Sequence, residues 1–345
     1  MNSILQKILL LLFFVFCQIQ LKSQNFVVSS IGYYNVENLF DTKDDKGVND
    51  KDFTPFGKNS WNSIKYSNKI ANISEVISKI SIDVNPDGLA ILGLSEVENK
   101  GVIEDLVSHA NIIEKNYQIV HYDSPDKRGI DVALIYQKKY FNLQSSKNYV
   151  LNHPTDSSFR TRSQLLVSGD LLGERVHIIV AHWPSRSGGE KRSKPNRIAA
   201  ANLGRSIIDS IQLAEPNAKI IYMGDLNDDP TNESLTKHLK SNGNLQKLKP
   251  SQMYNPMLDL YKKGIGSLAW RDTWNIFDQI LFTPSLVKNQ KGFTFYKAKV
   301  FNSSFLIQKQ GSYKGYPFRT FAGGNYIGGY SDHFPVYTFL IKQFK

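Results

Sequence analysis

The sequence contains almost no cysteine. Cys17 is the only one among 345 residues, so a disulfide bond within the chain is impossible. Its packed core, and not covalent cross-links, must therefore stabilise the folded chain. Repeats, low-complexity tracts and long linkers are also missing. A content of 41% hydrophobic and 21% charged residues excludes a disordered, collagen-like or coiled-coil protein.

The sequence also has no apolar run of the roughly 20 residues that a membrane-spanning helix needs. The shorter run Ile8–Phe16 follows Lys7 and precedes a small residue, Ser23, which is the three-part plan of a secretory signal peptide. We predict that residues 1–24 are a signal peptide and that residues 25–345 form one secreted or periplasmic bacterial domain. Lipid attachment at Cys17 is disfavoured because Phe16, and not a small residue, precedes it.

Acidic residues are fewer than basic ones. The formal net charge is +11, and removal of Lys7 and Lys22 with the signal segment leaves +9, that is 11 minus 2. A basic surplus favours an anionic partner, such as nucleic acid, a phosphorylated lipid headgroup, or an inositol or sugar phosphate. The charge alone does not choose among these ligands.

Short apolar runs alternate with stretches of helical periodicity, which predicts α/β layers with mixed sheets. The predicted helices are Trp61–Ile80, Gly101–Ala110 and Pro195–Ile211. Four predicted strands end at a polar residue, namely Asn35, Glu96, His182 and Asp225. Layered α/β proteins commonly assemble their sites from groups at strand ends.

The polar groups at these ends suit a hard divalent cation. Glu96 and Asp332 are carboxylate ligands of the kind that Mg²⁺, Mn²⁺ or Ca²⁺ prefers. His182 and His333 lack a histidine or cysteine partner at ligand spacing, which argues against zinc. A histidine beside a metal-bound phosphate acts either as a general base or as a hydrogen-bond donor to phosphate oxygens.

Seven motifs follow one another along the chain. They are Tyr34-Asn35-Val36-Glu37-Asn38-Leu39-Phe40, Leu94-Ser95-Glu96-Val97-Glu98-Asn99, Arg128-Gly129-Ile130-Asp131-Val132-Ala133-Leu134-Ile135-Tyr136, Ala181-His182-Trp183-Pro184-Ser185, Met223-Gly224-Asp225-Leu226-Asn227, Trp274-Asn275-Ile276-Phe277-Asp278-Gln279-Ile280 and Tyr330-Ser331-Asp332-His333 with Pro335. In this order they resemble the motifs of the endonuclease/exonuclease/phosphatase superfamily, which has the deoxyribonuclease-I-like fold. The resemblance covers residues 26–341, nearly the whole mature chain, and the secreted branch found in Bacteroidetes-type bacteria is the most similar.

The resemblance implies a four-layer α/β sandwich, in which two mixed β-sheets pack face to face with helices outside. It also implies site roles. The metal residues would be Glu96, Asn35 and Asp332. The catalytic residues would be His333 as general base or phosphate contact, Asp278 orienting it, Asp225 and Asn227 positioning the attacking water, and His182 as the second phosphate-binding histidine.

Arginine side chains suit bidentate phosphate contacts, and we expect Arg160 and Arg186 to bind substrate phosphate. Tyr33, Tyr34 and the glycine-rich segment 321–330 are expected to form a rim over the pocket. The polar insertion of residues 41–58 is expected to be a surface loop, because its acidic residues lack the spacing of a twelve-residue calcium loop.

The resulting hypothesis is a secreted, divalent-metal-dependent phosphoesterase, foremost an endonuclease or general phosphodiesterase. Its substrate would be phosphorylated, and nucleic acid fits the basic charge. A monomer without a stable protein partner is expected. Two other substrate classes stay open, a phosphatase for inositol or sugar phosphates and a sphingomyelinase-like phospholipase. A catalytically silent phosphate-binding protein is the alternative outside the enzymes.

Overall fold

The computed structural model describes residues 26–288 and 292–343. The predicted signal peptide, including Cys17, lies outside these residues. Among the helices within the described ranges, none has the length and apolar character to cross a bilayer.

Seventeen strands, numbered along the chain, are present in the described residues. The first sheet has the order β14-β17-β1-β2-β4-β3. Its strands are β1 Phe26–Leu39, β2 Ile91–Val97, β3 Tyr117–His121, β4 Asp131–Gln137, β14 Thr294–Val300 and β17 Val336–Gln343. Strands β1 and β2 pair in parallel and the others antiparallel, so the sheet is mixed.

The second sheet has the order β5-β6-β7-β8-β13-β10-β9. Its strands are β5 Phe141–Tyr149, β6 Gln164–Leu171, β7 Glu174–His182, β8 Ile220–Asp225, β9 Ser241–Asn242, β10 Met253–Tyr254 and β13 Asp278–Phe282. The pairs β7/β8 and β9/β10 are parallel, so this sheet is mixed as well. Two separate hairpins are formed by β11 Leu268–Trp270 with β12 Thr273–Asn275 and by β15 Phe321–Ala322 with β16 Asn325–Tyr326.

Four α-helices lie in the described chain. They are α1 Ser63–Lys79, α2 Lys100–Val107, α3 Glu190–Ala214 and α4 Met257–Lys262. Single turns of 3₁₀ or π helix occur at Lys51–Phe53, Ile113–Lys115, Ser234–His238, Pro284–Leu286 and Ser304–Leu306. Helix α3 starts five residues before the predicted Pro195, and Arg186 and Glu190 pair at its start.

The two sheets pack face to face, as the sequence predicts. Leu134 of the first sheet and Val180 of the second belong to one buried apolar cluster between them. The sheets approach each other closely at Gly93, where a Cβ atom would lie 2.7 Å from the sulfur of Met223. Only a residue without a side chain allows this approach.

Helices cover the outer faces and complete the sandwich. Ile73 of α1 and Ile103 of α2 pack on Leu92 of the first sheet, and Ala200 of α3 packs with Ile179 of the second. These layers confirm the predicted fold class.

The prediction that Tyr33 and Tyr34 belong to a rim over the pocket is wrong. Tyr33 and Tyr34 lie inside β1 and have no exposed surface. The β15/β16 hairpin packs through Phe321 against Trp61, with ring centroids 5.9 Å apart. Aromatic rings in this segment therefore serve mainly as packing.

The inter-sheet core allows a stability prediction with a matched control. Leu134→Ala should lower the free energy of unfolding by about 2–5 kcal/mol, because the removed side chain leaves a cavity between the sheets. Leu213→Ala, at a position 88% exposed on α3, should change it by less than about 0.5 kcal/mol. Denaturant unfolding of both variants checks this, and equal midpoints would contradict the proposed core.

Candidate active site

Asn35 and Glu96 meet because β1 and β2 run in parallel and pair Asn35 with Ser95. The register shifts between Asn35 and Leu39, and β2 shifts against β4 between Ser95 and Val97. Glu96 adopts a left-handed φ of 62° at this irregularity. Its carboxylate turns toward β1. There the backbone N–H of Asn38 donates to Glu96 Oε2 at 3.0 Å, and Asn35 Nδ2 lies 3.4 Å from Glu96 Oε1.

Asp225 lies at the same edge of the second sheet. Parallel pairing of β7 with β8 places His182 opposite Asp225, and His182 Nε2 is 3.5 Å from Asp225 Oδ2. Asn35 Nδ2 donates to the same oxygen at 3.1 Å, which joins the two sheets. The backbone N–H of Asn227 donates to Asp225 Oδ1 at 3.0 Å, and the side-chain Nδ2 of Asn227 donates to the Trp183 carbonyl.

Asp278 and His333 form a buried pair beside these groups. Antiparallel pairing of β8 with β13 puts Asp278 opposite Asp225. Asp278 Oδ2 lies 2.6 Å from His333 Nδ1, and His333 Nε2 then faces Asp225 Oδ2 at 4.0 Å. Ser331 fixes the preceding turn, because its hydroxyl donates to the Asn35 carbonyl and accepts from the His333 amide.

Asp332 lies at the open side of this cluster. Its Oδ1 is 3.9 Å from His333 Nε2, and its side chain is 34% exposed. The eight residues predicted for catalysis or metal binding thus gather where the ends of β1, β2, β7, β8 and β13 meet the turn before β17.

The environment shifts the pKa values of the two histidines in opposite directions. Burial holds the pKa of His182 well below the usual imidazole value, and the charges of Arg162 and Arg128 act in the same direction. Burial also lowers the pKa of His333, but the carboxylates of Asp278 and Asp332 outweigh it and raise that pKa well above the usual value. The environment therefore favours the neutral form of His182 and the protonated form of His333.

The two predicted substrate arginines lie in different surroundings. Arg160 is exposed and donates to carbonyls of its own loop, at Ser157 and Phe159. Arg186 donates to the Asn227 carbonyl and pairs with Asp228, and its guanidinium stacks 4.5 Å above the Phe277 ring. The structure therefore places Arg186, but not Arg160, against a residue of the site.

Two further residues lie beside the site. Arg162 is buried, donates to the Trp183 carbonyl and to Asp126, and acts on His182 by its charge. The sequence offers the motif Arg160-Thr161-Arg162 as a candidate for substrate phosphate, and of its two arginines Arg162, not Arg160, lies at the site.

Glu37, the second of these residues, stands in the first quoted motif but is not among the predicted site residues. Burial and the charge of Asp332 raise its pKa to about 7, and Lys69 opposes them. Its Oε2 accepts a hydrogen bond from the Thr320 amide and lies 3.8 Å from Lys69 Nζ. Its place in that motif was the available signal.

The donor set fits a hard divalent cation. Glu96, Asn35 and Asp332 offer carboxylate and amide oxygens, and no thiol is present among the described residues. Burial raises the pKa of Asp225 to about 7, while His333 opposes the shift and Asp278 adds to it. Asp278 Oδ1 also lacks a hydrogen-bond partner among the described residues.

A comparison with known families assigns the chain to a family. The sequence model of the endonuclease/exonuclease/phosphatase family matches residues 30–342. The chain belongs to this family. Members of this family hydrolyse phosphoric esters, so the chain is a phosphoric ester hydrolase. No curated relative matches the sequence at a significant level.

Solved structures of this fold are similar over nearly the full length. A family protein from Bacteroides thetaiotaomicron has 16% identity and a TM-score of 0.55, with 93% of this chain and 97% of that chain covered. The mannosyl-6-phosphatase of the same species has 15% identity and a TM-score of 0.55, with 90% and 99% covered. TDP2 of D. rerio, complexed with a single-strand DNA product, has 14% identity and a TM-score of 0.53, with 91% and 98% covered.

The Asp278–His333 pair in this endonuclease/exonuclease/phosphatase family member can be tested without substrate. In metal-free protein, Asp278→Asn should lower the pKa of His333, because the variant loses the negative charge that favours the imidazolium. The imidazolium, which the wild type keeps well above pH 6.5, should then lose its proton at lower pH. An NMR titration of the imidazole signals measures this shift, and His182 should stay neutral in both proteins. An unchanged His333 titration would contradict the pairing.

Proposed function

We propose that the protein is a secreted, Mg²⁺- or Mn²⁺-dependent phosphodiesterase that acts on nucleic acid or a similar phosphodiester by in-line attack of water. The observation that carries this proposal is the convergence of Glu96, Asp225 and the Asp278–His333 pair at one open edge of the sandwich. This set combines cation ligands, a water-orienting carboxylate and a charged hydrogen-bond donor.

The protein side chains have separate tasks in this reaction. Asp225, which accepts a hydrogen bond from the backbone N–H of Asn227, orients the attacking water together with the side-chain amide of Asn227. His333, held by Asp278, donates to a phosphoryl oxygen through Nε2. A cation bound by Glu96, Asn35 and Asp332 would neutralise charge on the phosphate and the leaving oxygen.

An open pocket beside the site supports a substrate with a planar group. It has a volume of about 650 Å³ and is lined by Arg186, Phe277 and Trp270. Trp270 is 65% exposed, and the guanidinium of Arg271 lies 5.6 Å from its ring. Exposed aromatic and arginine side chains form stacking surfaces for bases. Arg186 of the pocket lining donates to the Asn227 carbonyl, so a base bound in the pocket would lie on the side of the site where Asn227 stands.

The catalytic proposal predicts a strict cation requirement. EDTA should abolish cleavage of bis-p-nitrophenyl phosphate, and Mg²⁺ or Mn²⁺ should restore it. Glu96→Gln and His333→Ala should each lower kcat by about 10²–10³, because each removes charge stabilisation in the transition state. Steady-state kinetics measure these losses.

Matched controls separate chemistry from folding. Glu104→Gln on α2 and His238→Ala, which contacts Asn202, should leave kcat within about twofold of the wild type. Activity that persists in EDTA or in Glu96→Gln would refute the metal-dependent reaction. A panel of plasmid DNA, RNA, inositol and sugar phosphates and sphingomyelin then identifies the substrate, and preference for a phosphomonoester would overturn the phosphodiesterase assignment.

The pocket predicts a separate effect on substrate binding. Trp270→Ala should raise KM for a dinucleotide about 5- to 100-fold with a small change in kcat, because stacking contributes about 1–3 kcal/mol per base. Tyr296→Ala, at a position 64% exposed on β14, is the matched control and should leave KM unchanged. Equal KM values for wild type and Trp270→Ala would exclude the pocket as a base-binding site.

A further inference from the structure

The polar insertion of residues 41–58 takes part in a second carboxylate cluster. Asp45 and Asp50 of the insertion and Glu98 beyond β2 each offer an oxygen, and these atoms lie within 4.8 Å of one another. Like charges this close repel each other unless a proton or a cation lies between them. The cluster is separate from the active-site groups, because none of its three residues belongs to that set.

Two of these carboxylates are buried with an unpaired oxygen. Asp50 is 1% exposed and Glu98 is 5% exposed. Within the described residues, Asp50 Oδ1 and Glu98 Oε1 have no hydrogen-bond partner. A buried carboxylate oxygen without a partner is costly, so such atoms normally have a ligand.

The other oxygens of both residues hold the loop in place. Asp50 Oδ2 accepts from the Asp45 amide at 2.8 Å, and Glu98 Oε2 accepts from the Asp41 amide at 2.7 Å. The insertion thus wraps around the two carboxylates and leaves one oxygen of each unpaired. This arrangement is typical of a loop that surrounds a ligand.

The surrounding side chains do not neutralise the cluster. Asp45 and Glu98 line a cavity of about 360 Å³ together with Asp123 and Asp131. Asp131 is satisfied by His121 Nε2 at 2.9 Å and by Ser124. Lys46 also lines this cavity, but no ion pair in the described part of the chain joins a lysine to Asp45, Asp50 or Glu98.

We propose that Asp45, Asp50 and Glu98 form a binding site for a divalent cation, with Ca²⁺ as the preferred ion. Three carboxylates supply the hard oxygen ligands, and the cavity has room for the waters that complete the sphere. Ca²⁺ accepts six to eight oxygens in irregular geometry, whereas Mg²⁺ demands a near-octahedral set. The absence of a histidine or cysteine from these three ligands disfavours zinc.

A cation here would stabilise the segment next to the active site. Glu98 follows Glu96 by two residues, and the insertion starts just after Asn38, whose amide holds Glu96. Bound Ca²⁺ would therefore fix the insertion to the end of β2. The site does not depend on the proposed catalytic activity, and its test needs no substrate.

The test compares Ca²⁺ binding to the purified, EDTA-treated wild type with that of Asp50→Asn and Glu98→Gln. The wild type should bind with a dissociation constant of about 10⁻⁵ to 10⁻³ M by calorimetry. About 5 mM Ca²⁺ should raise its melting temperature by several degrees. Tryptic cleavage after the exposed Lys43 and Lys46 should slow at least about tenfold. Both variants should lose these effects, although each keeps an amide oxygen for its backbone contact.

Two further variants locate the ion. Asp44→Asn removes the same charge from an exposed position of the insertion and should bind Ca²⁺ like the wild type. Glu96→Gln should retain the protection at Lys43 and Lys46, because the active site is not involved. Protection that survives in Asp50→Asn, or that disappears in Glu96→Gln, would overturn the proposal. So would a wild type whose cleavage and melting do not respond to Ca²⁺.

Discussion

The site depends on one hydrogen bond between the two sheets, from Asn35 Nδ2 to Asp225 Oδ2. Asn35 belongs to β1 in the first sheet and Asp225 ends β8 in the second. This hydrogen bond forms only if the two sheets lie close together. The contact of Gly93 with Met223 allows that close approach. Once Asp225 is placed, strand register brings His182 and Asp278 beside it. The strand register within each sheet thus decides which residues meet between the two sheets.

Four residues at the same edge adopt a left-handed backbone conformation. Glu37, Asn38, Glu96 and Asn227 all have φ between 49° and 62°, a region that costs non-glycine residues about 1 kcal/mol or more each. Part of this cost is offset locally, since the Asn38 amide donates to Glu96 and the Asn227 amide to Asp225. The irregular backbone ends regular strand pairing and turns polar side chains toward the opening. Some stability is therefore lost at the edge where the candidate site residues lie.

Apolar runs that stop at a polar residue correctly predicted the ends of β7 at His182 and of β8 at Asp225, but β1 continues past the predicted end at Asn35 to Leu39. The sequence also pointed to Asp278 and His333 through the family resemblance. Loop positions were harder to predict, since no periodicity governs a loop. Arg160 and Arg162 stand in one motif, yet burial brings Arg162 to the Trp183 carbonyl and leaves Arg160 in solvent. Strand β5, with mostly exposed side chains, gave too weak a signal to detect.

The charge distribution links the whole chain to its chemistry. The sequence carries a net charge of +11, but the active-site edge gathers Glu96, Asp225, Asp278 and Asp332. An anionic phosphate attracted by the basic surface would be repelled at this centre unless positive charge is supplied there. A protonated His333 would supply one such charge, but its partner Asp278 offsets it. A divalent cation of the kind proposed above would supply the rest, because the carboxylates that make this edge unfavourable for phosphate are also suitable cation ligands.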